Sequence, residues 1–383
     1  MVREIVITVY LFVFRALFVL FKVFPKTAKT TFVVSFGHNA LYTMSALEKL
    51  TDQHIIILKS RKCCMMFQPA RHRRIIMFQF PYILDWIRSV YHLATSENVF
   101  VDNYYGFLSV TDFSQQTQCI QLWHAAGAIK KFGLKDQQIK NRHPIACRRF
   151  KNVYKRFDYV VVGSEKMTAI FAEAFHVPAE QHLRTGVPRT DFFFDVAARK
   201  KTEQSLTNQF PIIREKKVIL YAPTYRDDQL NTAHIKLNIR QMYTDLGDEY
   251  VLFLSLHPKM TSNTTNDCPG FVYDISHLDN INHVLAVTDI LISDYSSVPF
   301  EFSLMHKPMV FYAYDLESYA HMKGFWKDYE DLVPGPVVTT TDELIRVITH
   351  HEFKLEQVEA FANEWNHYST GNSSEKLVQR LYQ

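Results

Sequence analysis

Short, uninterrupted apolar runs alternate with amphipathic stretches along the chain after residue 25. Thr31–Phe36, His54–Leu58, Asn98–Val101, Cys119–Leu122 and Tyr159–Val162 form one series. Val218–Tyr221, Tyr250–Leu256, Phe271–Tyr273, Ile290–Ile292 and Met309–Tyr312 form a second. Few polar residues alternate within them, so the strands they predict are covered on both faces, as in parallel sheets with helical crossovers. Two such series predict an α/β chain with two doubly wound, Rossmann-like domains. The charge cluster Arg199–Glu203 and Pro211 mark the junction between Phe192 and Lys217, which divides the chain into residues 26–205 and 206–383. From Lys354 onward, Leu355, Val358, Phe361 and Trp365 recur at helical spacing, and the last helix is free to pack back on the first domain.

Residues 1–25 follow a different pattern. A helix over Ile5–Phe24 would be about 30 Å long, the thickness of a bilayer core. Arg15 sits at its middle, where burial in lipid would cost about 2.5–3.5 kcal/mol. Glu4, Thr8, Arg15 and Lys22 fall on one narrow stripe at 100° per residue. The expectation is therefore an amphipathic, monotopic helix at the cytoplasmic face of the membrane. Its stripe would face water, with Tyr10, Phe12, Phe14 and Phe21 in the acyl region. A first helix packed on its own domain is the first alternative, and a true membrane span the lesser one. The basic run Arg71-His72-Arg73-Arg74 reads as a solvated face in preference to an anionic-lipid contact.

A chain of 383 residues with a net charge of only +4 does not make nucleic acid the default partner. The five cysteines (63, 64, 119, 147 and 268) form no CxxC pair, which argues against a zinc site or a disulfide framework and suits a reducing compartment. No HExxH, paired-Asp or P-loop signature appears, so no metal is expected, and phosphate charge must be balanced by histidine, arginine and helix dipoles.

In open α/β sheets, ligands bind beyond the carboxyl ends of the strands. Polar clusters stand at four such ends. Trp123-His124-Ala125-Ala126-Gly127 follows Cys119–Leu122, and Thr224-Tyr225-Arg226 follows Val218–Tyr221. His257 follows Tyr250–Leu256, and Asp294-Tyr295-Ser296-Ser297 follows Ile290–Ile292. Together they outline a cleft between two domains. An imidazole can take or give a proton near neutral pH, so His124 and His257 are the sharpest candidates. Ser296 and Ser297 precede a helix start that could hold phosphate oxygens, or simply cap it. Asp294 could bind a sugar hydroxyl or cap its own turn, and Glu301 could accept from a ribose.

As an ordered set, QLWHAAGAIKKFGL (121–134), TGVPRTD (185–191), YAPTYRDD (221–228), LHP (256–258) and SDYSSVPFEF (293–302) resemble the CDP-glycerol glycerophosphotransferase family of wall teichoic acid synthesis. YAYD (312–315) and GFWKDY (324–329) extend the match. DNYY (102–105) followed by WHAAGAIKKFG looks like the primase-type members, whereas polymerase-type members carry a His-Gly-Thr-Pro version at residues 124–127. The resemblance implies a GT-B fold with CDP-glycerol as donor and no other cofactor. It implies an undecaprenyl-diphosphate-linked N-acetylmannosaminyl-N-acetylglucosamine acceptor at the membrane surface, and other teichoic acid enzymes as possible partners. His124 would then act as base, with His257 and Arg226 on the diphosphate. Trp123, Gly127, Pro188, Arg189, Thr224, Asp294, Ser296, Ser297 and Glu301 would line the substrates. Rival classes are a GT-B glycosyltransferase or nucleotide-sugar epimerase, an idle lipid-binding scaffold, and a polymerase of the same family that uses glycerol or ribitol donors.

Overall fold

Apolar runs flanked by helical crossovers assemble into two all-parallel sheets in the computed structural model, which describes residues 2–224, 226, 235–256 and 268–382. The first contains β1 (Thr27–Val34), β2 (His54–Lys59), β3 (Arg73–Met77), β4 (Ser96–Val101), β5 (Gln118–Gln121), β6 (Tyr159–Val161) and β7 (His182–Leu183), in the order β3-β2-β1-β4-β5-β6-β7. The second contains β8 (Lys217–Ala222), β9 (Tyr250–Leu254), β10 (Val272–Asp274), β11 (Ile290–Ser293), β12 (Met309–Tyr312) and β13 (Val337–Val338), in the order β10-β9-β8-β11-β12-β13. Strand order reverses between β1 and β4 in one sheet and between β8 and β11 in the other. Those are the positions where a doubly wound sheet opens a crevice at its carboxyl edge.

Each sheet has its own core. In the first, Phe32, Val34, Ile55, Ile57, Phe100 and Ile120 pack with Met44 and Leu47 of α2 (His38–Leu50) and with Leu377 and Val378 of the helix Ser373–Tyr382. In the second, Ile219, Leu252, Leu254 and Ile292 pack with Met242, Leu344 and Ile348. Burying each such side chain is worth about 1.5–3 kcal/mol.

The chain divides into two compact units. One holds the chain up to His124, Lys131–Asp191 and the stretch from His367; the other holds Ala125–Lys130 and Phe192–Asn366. The helix Val196–Gln209, assigned to the first domain by a boundary at 205/206, packs against Ile281–Val287 within the second unit. The helical end splits as well. Leu355–Trp365 belongs to the second unit and Ser373–Tyr382 to the first, with Gly371 at φ 89° between them.

The first helix, α1 (Val2–Phe21), presents a different face from the one expected. Phe14 and Phe18 are fully buried, and Phe14 stacks on Phe107 at 5.1 Å and meets Trp86 edge-on at 5.9 Å. The Trp86 indole N–H donates to the Tyr10 hydroxyl at 3.1 Å, and Phe21 meets Tyr91 edge-on. Trp86 and Tyr91 both lie on α3 (Ile83–Thr95). Glu4 of the polar stripe turns inward to pair with Arg149 at 3.1 Å. Tyr10, Phe14 and Phe21 are thus spent on protein, because ring partners stand ready on α3 and at Phe107. What remains outward is largely aliphatic: Ile5, Val6, Val9, Val13, Val19 and Leu20 are exposed with the Phe12 ring, and Arg3, Thr8 and Arg15 are exposed among them.

Candidate active site

At the first reversal point, the loop after β1 is fastened from across the gap. Asp102, directly after β4, is 1% exposed and accepts hydrogen bonds from the amides of Ser35, Phe36 and Gly37 at 2.8–3.1 Å, and from the Tyr105 hydroxyl at 2.8 Å. Burial raises its pKa above the usual carboxylate value, and the amide hydrogen bonds oppose that rise. This is why β1 ends at Val34 rather than Phe36: the next three amides turn to a carboxylate. The Phe36 ring that the loop presents stacks on the His124 imidazole, with centroids 4.1 Å apart and planes 11° from parallel.

His124 follows β5 through a strained turn. Trp123 holds φ at 56°, a region that costs an L-residue roughly 1–2 kcal/mol. Its indole is pinned against Phe132, Phe171 and Phe175 with centroids 4.8–5.6 Å apart, and its amide donates to Gln121 Oε1 at 2.9 Å. Such over-determined strain fixes where the next side chain points. His124 is half-buried, and its Nδ1 lies 3.2 Å from the Asp102 carbonyl oxygen. A carbonyl only accepts, so Nδ1 donates in this contact, and the neutral form of the ring then has its lone pair on Nε2.

Asn39 of α2 ties this turn to a second one. Its amide nitrogen donates to the carbonyls of Leu122 and Trp123, and its Oδ1 accepts from the Arg189 amide at 3.0 Å. Pro188 and Arg189 are therefore held beside the His124 turn. Asp191, two residues on, caps the helix Ser373–Tyr382 through the amides of Ser373 and Ser374.

The second reversal point repeats the device. Asp294, directly after β11 and fully buried, accepts from the Thr224 amide after β8 at 2.8 Å, from the Tyr295 amide at 2.6 Å and from Arg226 Nη1 at 2.7 Å. Arg226 also grips Asp315, after β12, through Nε at 2.8 Å and Nη2 at 2.9 Å, and donates from Nη1 to the Thr224 carbonyl. Its guanidinium lies 4.9–5.5 Å from the ring centres of Tyr295, Tyr314 and Tyr319. Burial works to raise the Asp315 pKa, but the hydrogen bonds and charge of Arg226 outweigh it and hold the carboxyl below its usual range. Thr224 Oγ1 is buried without a hydrogen-bond partner among the described residues.

These contacts bear on several expected roles. Arg226 was expected to place a fixed positive charge on a diphosphate; two carboxylates, one carbonyl and three rings hold it in this structure. Asp294 caps the turn and braces Arg226 rather than presenting a free carboxylate. Glu301 is 1% exposed and accepts from the Ala126 amide at 3.0 Å, which spends one oxygen of the ribose candidate on the backbone. Gly127 stands where an added Cβ would lie 2.1–2.4 Å from three carbons of the Phe300 ring, so it serves close packing. Ser296 and Ser297 are half-buried at the start of a helix of only five residues, Val298–Phe302, which supplies a weaker dipole than a full-length helix. His257 lies outside the described residues.

Asn39, Asp102 and Asp315 are organising residues that the sequence reading did not single out. The usable signal was an Asp within two residues of the end of a predicted strand, present at both 102 and 294.

Phe300 is fully buried against Phe361 and Trp365, so it has little room to yield. Gly127→Ala is therefore expected to cost about 1–3 kcal/mol by overpacking, read as a lowered Tm. Adding Phe300→Leu should recover part of the loss. A Tm equal to that of the parent would show that the close approach is not required.

The model of the CDP-glycerol:poly(glycerophosphate) glycerophosphotransferase family matches residues 23–383. A teichoic acid glycerol-phosphate primase of Bacillus spizizenii is 36% identical over 354 residues, covering 91% of each chain. A teichoic acid poly(ribitol-phosphate) polymerase of the same organism is also 36% identical, over 296 residues that cover 76% of this chain and 47% of the polymerase. Among solved structures, a variant of the wall teichoic acid polymerase TagF superposes with a TM-score of 0.83 at 20% identity, covering 99% of this chain and 96% of that one.

Proposed function

The chain belongs to the CDP-glycerol:poly(glycerophosphate) glycerophosphotransferase family, and from that premise we propose that it is the primase of wall teichoic acid synthesis. It is a glycerophosphotransferase enzyme. In the proposed reaction, a hydroxyl of the undecaprenyl-diphosphate-linked N-acetylmannosaminyl-N-acetylglucosamine attacks the β-phosphorus of CDP-glycerol. The new P–O bond forms as the bond to the bridging oxygen breaks, and CMP leaves with that oxygen. The hydroxyl proton passes to Nε2 of His124. The observation that carries the reading is the hydrogen bond from His124 Nδ1 to the Asp102 carbonyl, because it leaves the lone pair on the nitrogen that a base must use.

His257 is assigned to the diphosphate, where it bonds or protonates the leaving CMP. The hydroxyls of Thr224, Ser296 and Ser297 are assigned to donor oxygens; the buried Oγ1 of Thr224, without a hydrogen-bond partner among the described residues, supports a polar ligand there. Arg226, Asp294 and Glu301 hold the surrounding backbone in register, a positioning role. The outward aliphatic face of α1 supports peripheral attachment to the cytoplasmic face of the membrane, where a lipid-linked acceptor is reached.

The equal identity to a ribitol-phosphate polymerase keeps one rival in play, and product length separates them. Purified enzyme given a short-chain lipid disaccharide and CDP-glycerol is expected to release one CMP per acceptor and to stop after a single addition. A ladder of products would replace the primase reading with a polymerase. Release of CMP only from CDP-ribitol would change the donor, and no release from either donor would overturn the assignment.

A further inference from the structure

A cavity of about 400 Å³ opens at the amino-terminal edge of the first sheet, the edge opposite the catalytic loops. Lys29, His54, Arg71, His72, Arg74 and His92 line it, together with Arg73 and the short apolar stretch of β2, and no acidic residue does. The sheet explains why they converge. Lys29 of β1 stands opposite His54 of β2, and Ile56 opposite Arg74 of β3. Because Ile55 and Ile57 face the core beneath α2, alternation along the strand sends His54 and Ile56, with Lys29 and Arg74, to the face that α3 covers. His92 comes down from α3.

These groups are charged or titratable and poorly matched. Arg73 is neutralised by Glu48 at 2.6 Å. Lys29 is 6% exposed, its ammonium donating to Thr95 Oγ1 and lying 4.8 Å from the Tyr91 ring centre. Among the described residues, Lys29, Arg71 and Arg74 have no carboxylate partner, and His92 Nδ1 is buried without a hydrogen-bond partner. Burial, then Lys26, lowers Lys29 to about 8; burial, then Lys29 and Arg74, lowers His92 to about 4. Lys29 is the buried cation at its floor, with His54, Arg71, His72 and Arg74 exposed around it, and together they offer charge-assisted donors to an anion with several acceptor oxygens.

We propose that this cavity binds the phosphate of an anionic lipid headgroup, next to the surface through which α1 meets the membrane. Tyr91 joins the two features: Phe21 and Phe24 of the helix end pack on its ring at 5.6 and 5.8 Å, and Lys29 approaches the same ring. The arginine run is then a headgroup contact rather than a solvated face. The inference rests on the peripheral-membrane reading and not on the catalytic roles.

The test is vesicle flotation of the full chain with phosphatidylcholine alone and with added phosphatidylglycerol, alongside titration with inorganic phosphate followed by the imidazole resonances of His54, His72 and His92. Phosphatidylglycerol should tighten binding of the parent. Arg74→Gln and Arg71→Gln should each remove about fivefold of that gain and leave phosphatidylcholine binding unchanged. Lys62→Gln, an exposed cation outside the cavity, should remove less. Phosphate should shift the three histidines saturably, and Arg74→Gln should weaken that shift. CMP release on a water-soluble acceptor should be unchanged in Arg74→Gln, whereas failure of the enzymatic reading would appear as no release from the parent. Saturable phosphate shifts with no headgroup preference would overturn the lipid assignment. Equal losses for Lys62→Gln, or no shifts, would overturn the site.

Discussion

Replacing His124 by alanine is expected to slow glycerophosphate transfer by about 10²–10⁴-fold, the usual worth of a positioned general base, while CDP-glycerol still binds. The size follows from how much of the first unit is committed to that one ring. Phe36 supports one face of it, the strained Trp123 turn sets its direction, and the Asp102 carbonyl fixes its proton on Nδ1. A misplaced base loses most of its effect, because transfer requires hydrogen-bond reach in the reacting geometry. Donor binding is expected to persist because the groups assigned to it lie at residues 224–301. Single-turnover CMP release and calorimetric titration with CDP-glycerol separate the two effects. Turnover close to the parent would remove His124 from the mechanism, and a matching loss of donor affinity would make it a binding residue.

The parallel sheets were legible because buried strands write themselves as continuous apolar runs, and Cys119–Leu122, Val218–Tyr221 and Met309–Tyr312 lie at or within a residue of their observed bounds. The strand Arg73–Met77 was not, since an edge strand can begin with charged residues and carry only a short apolar end. The two-residue strands β7 and β13 leave no periodic trace at all. At the site, the histidine and the strand-end clusters could be seen, but the division of labour among them could not. Arg226, Asp294 and Glu301 are polar residues at strand ends or just past them, as ligand contacts would be, yet Arg226 and Asp294 bond to one another and Glu301 gives one oxygen to a backbone amide. Sequence carries residue type; whether a carboxylate faces a ligand or an amide is decided by partners 70 to 175 positions away. The same holds for α1, whose outward face depended on where Trp86, Tyr91 and Phe107 came to lie.

The second large effect concerns that spent charge. Arg226→Met is expected to destabilise the second unit by about 3–5 kcal/mol, because it strands two carboxylates that were buried on the strength of one guanidinium. Asp294 and Asp315 have side chains 1% and 17% exposed, so water cannot replace the lost donors fully. The pH dependence distinguishes this from lost packing alone. In the parent, Asp315 is held below its ordinary value by Arg226, after burial has been outweighed. The unfolded chain therefore binds the proton first on acidification, and this contribution is full above about pH 4 and is lost as pH falls through the folded value. Without the guanidinium, burial is the largest influence on the carboxyl and, opposed only by the Tyr295 hydroxyl and the local backbone, moves its folded pKa upward. The penalty then applies at neutral pH and is relieved as pH falls, so the stability gap between variant and parent should narrow toward about pH 4. Urea midpoints across that range read the gap directly. A gap that is constant with pH would mean that Arg226 contributes shape and ring stacking, and that the two carboxylates are held by the amides around them.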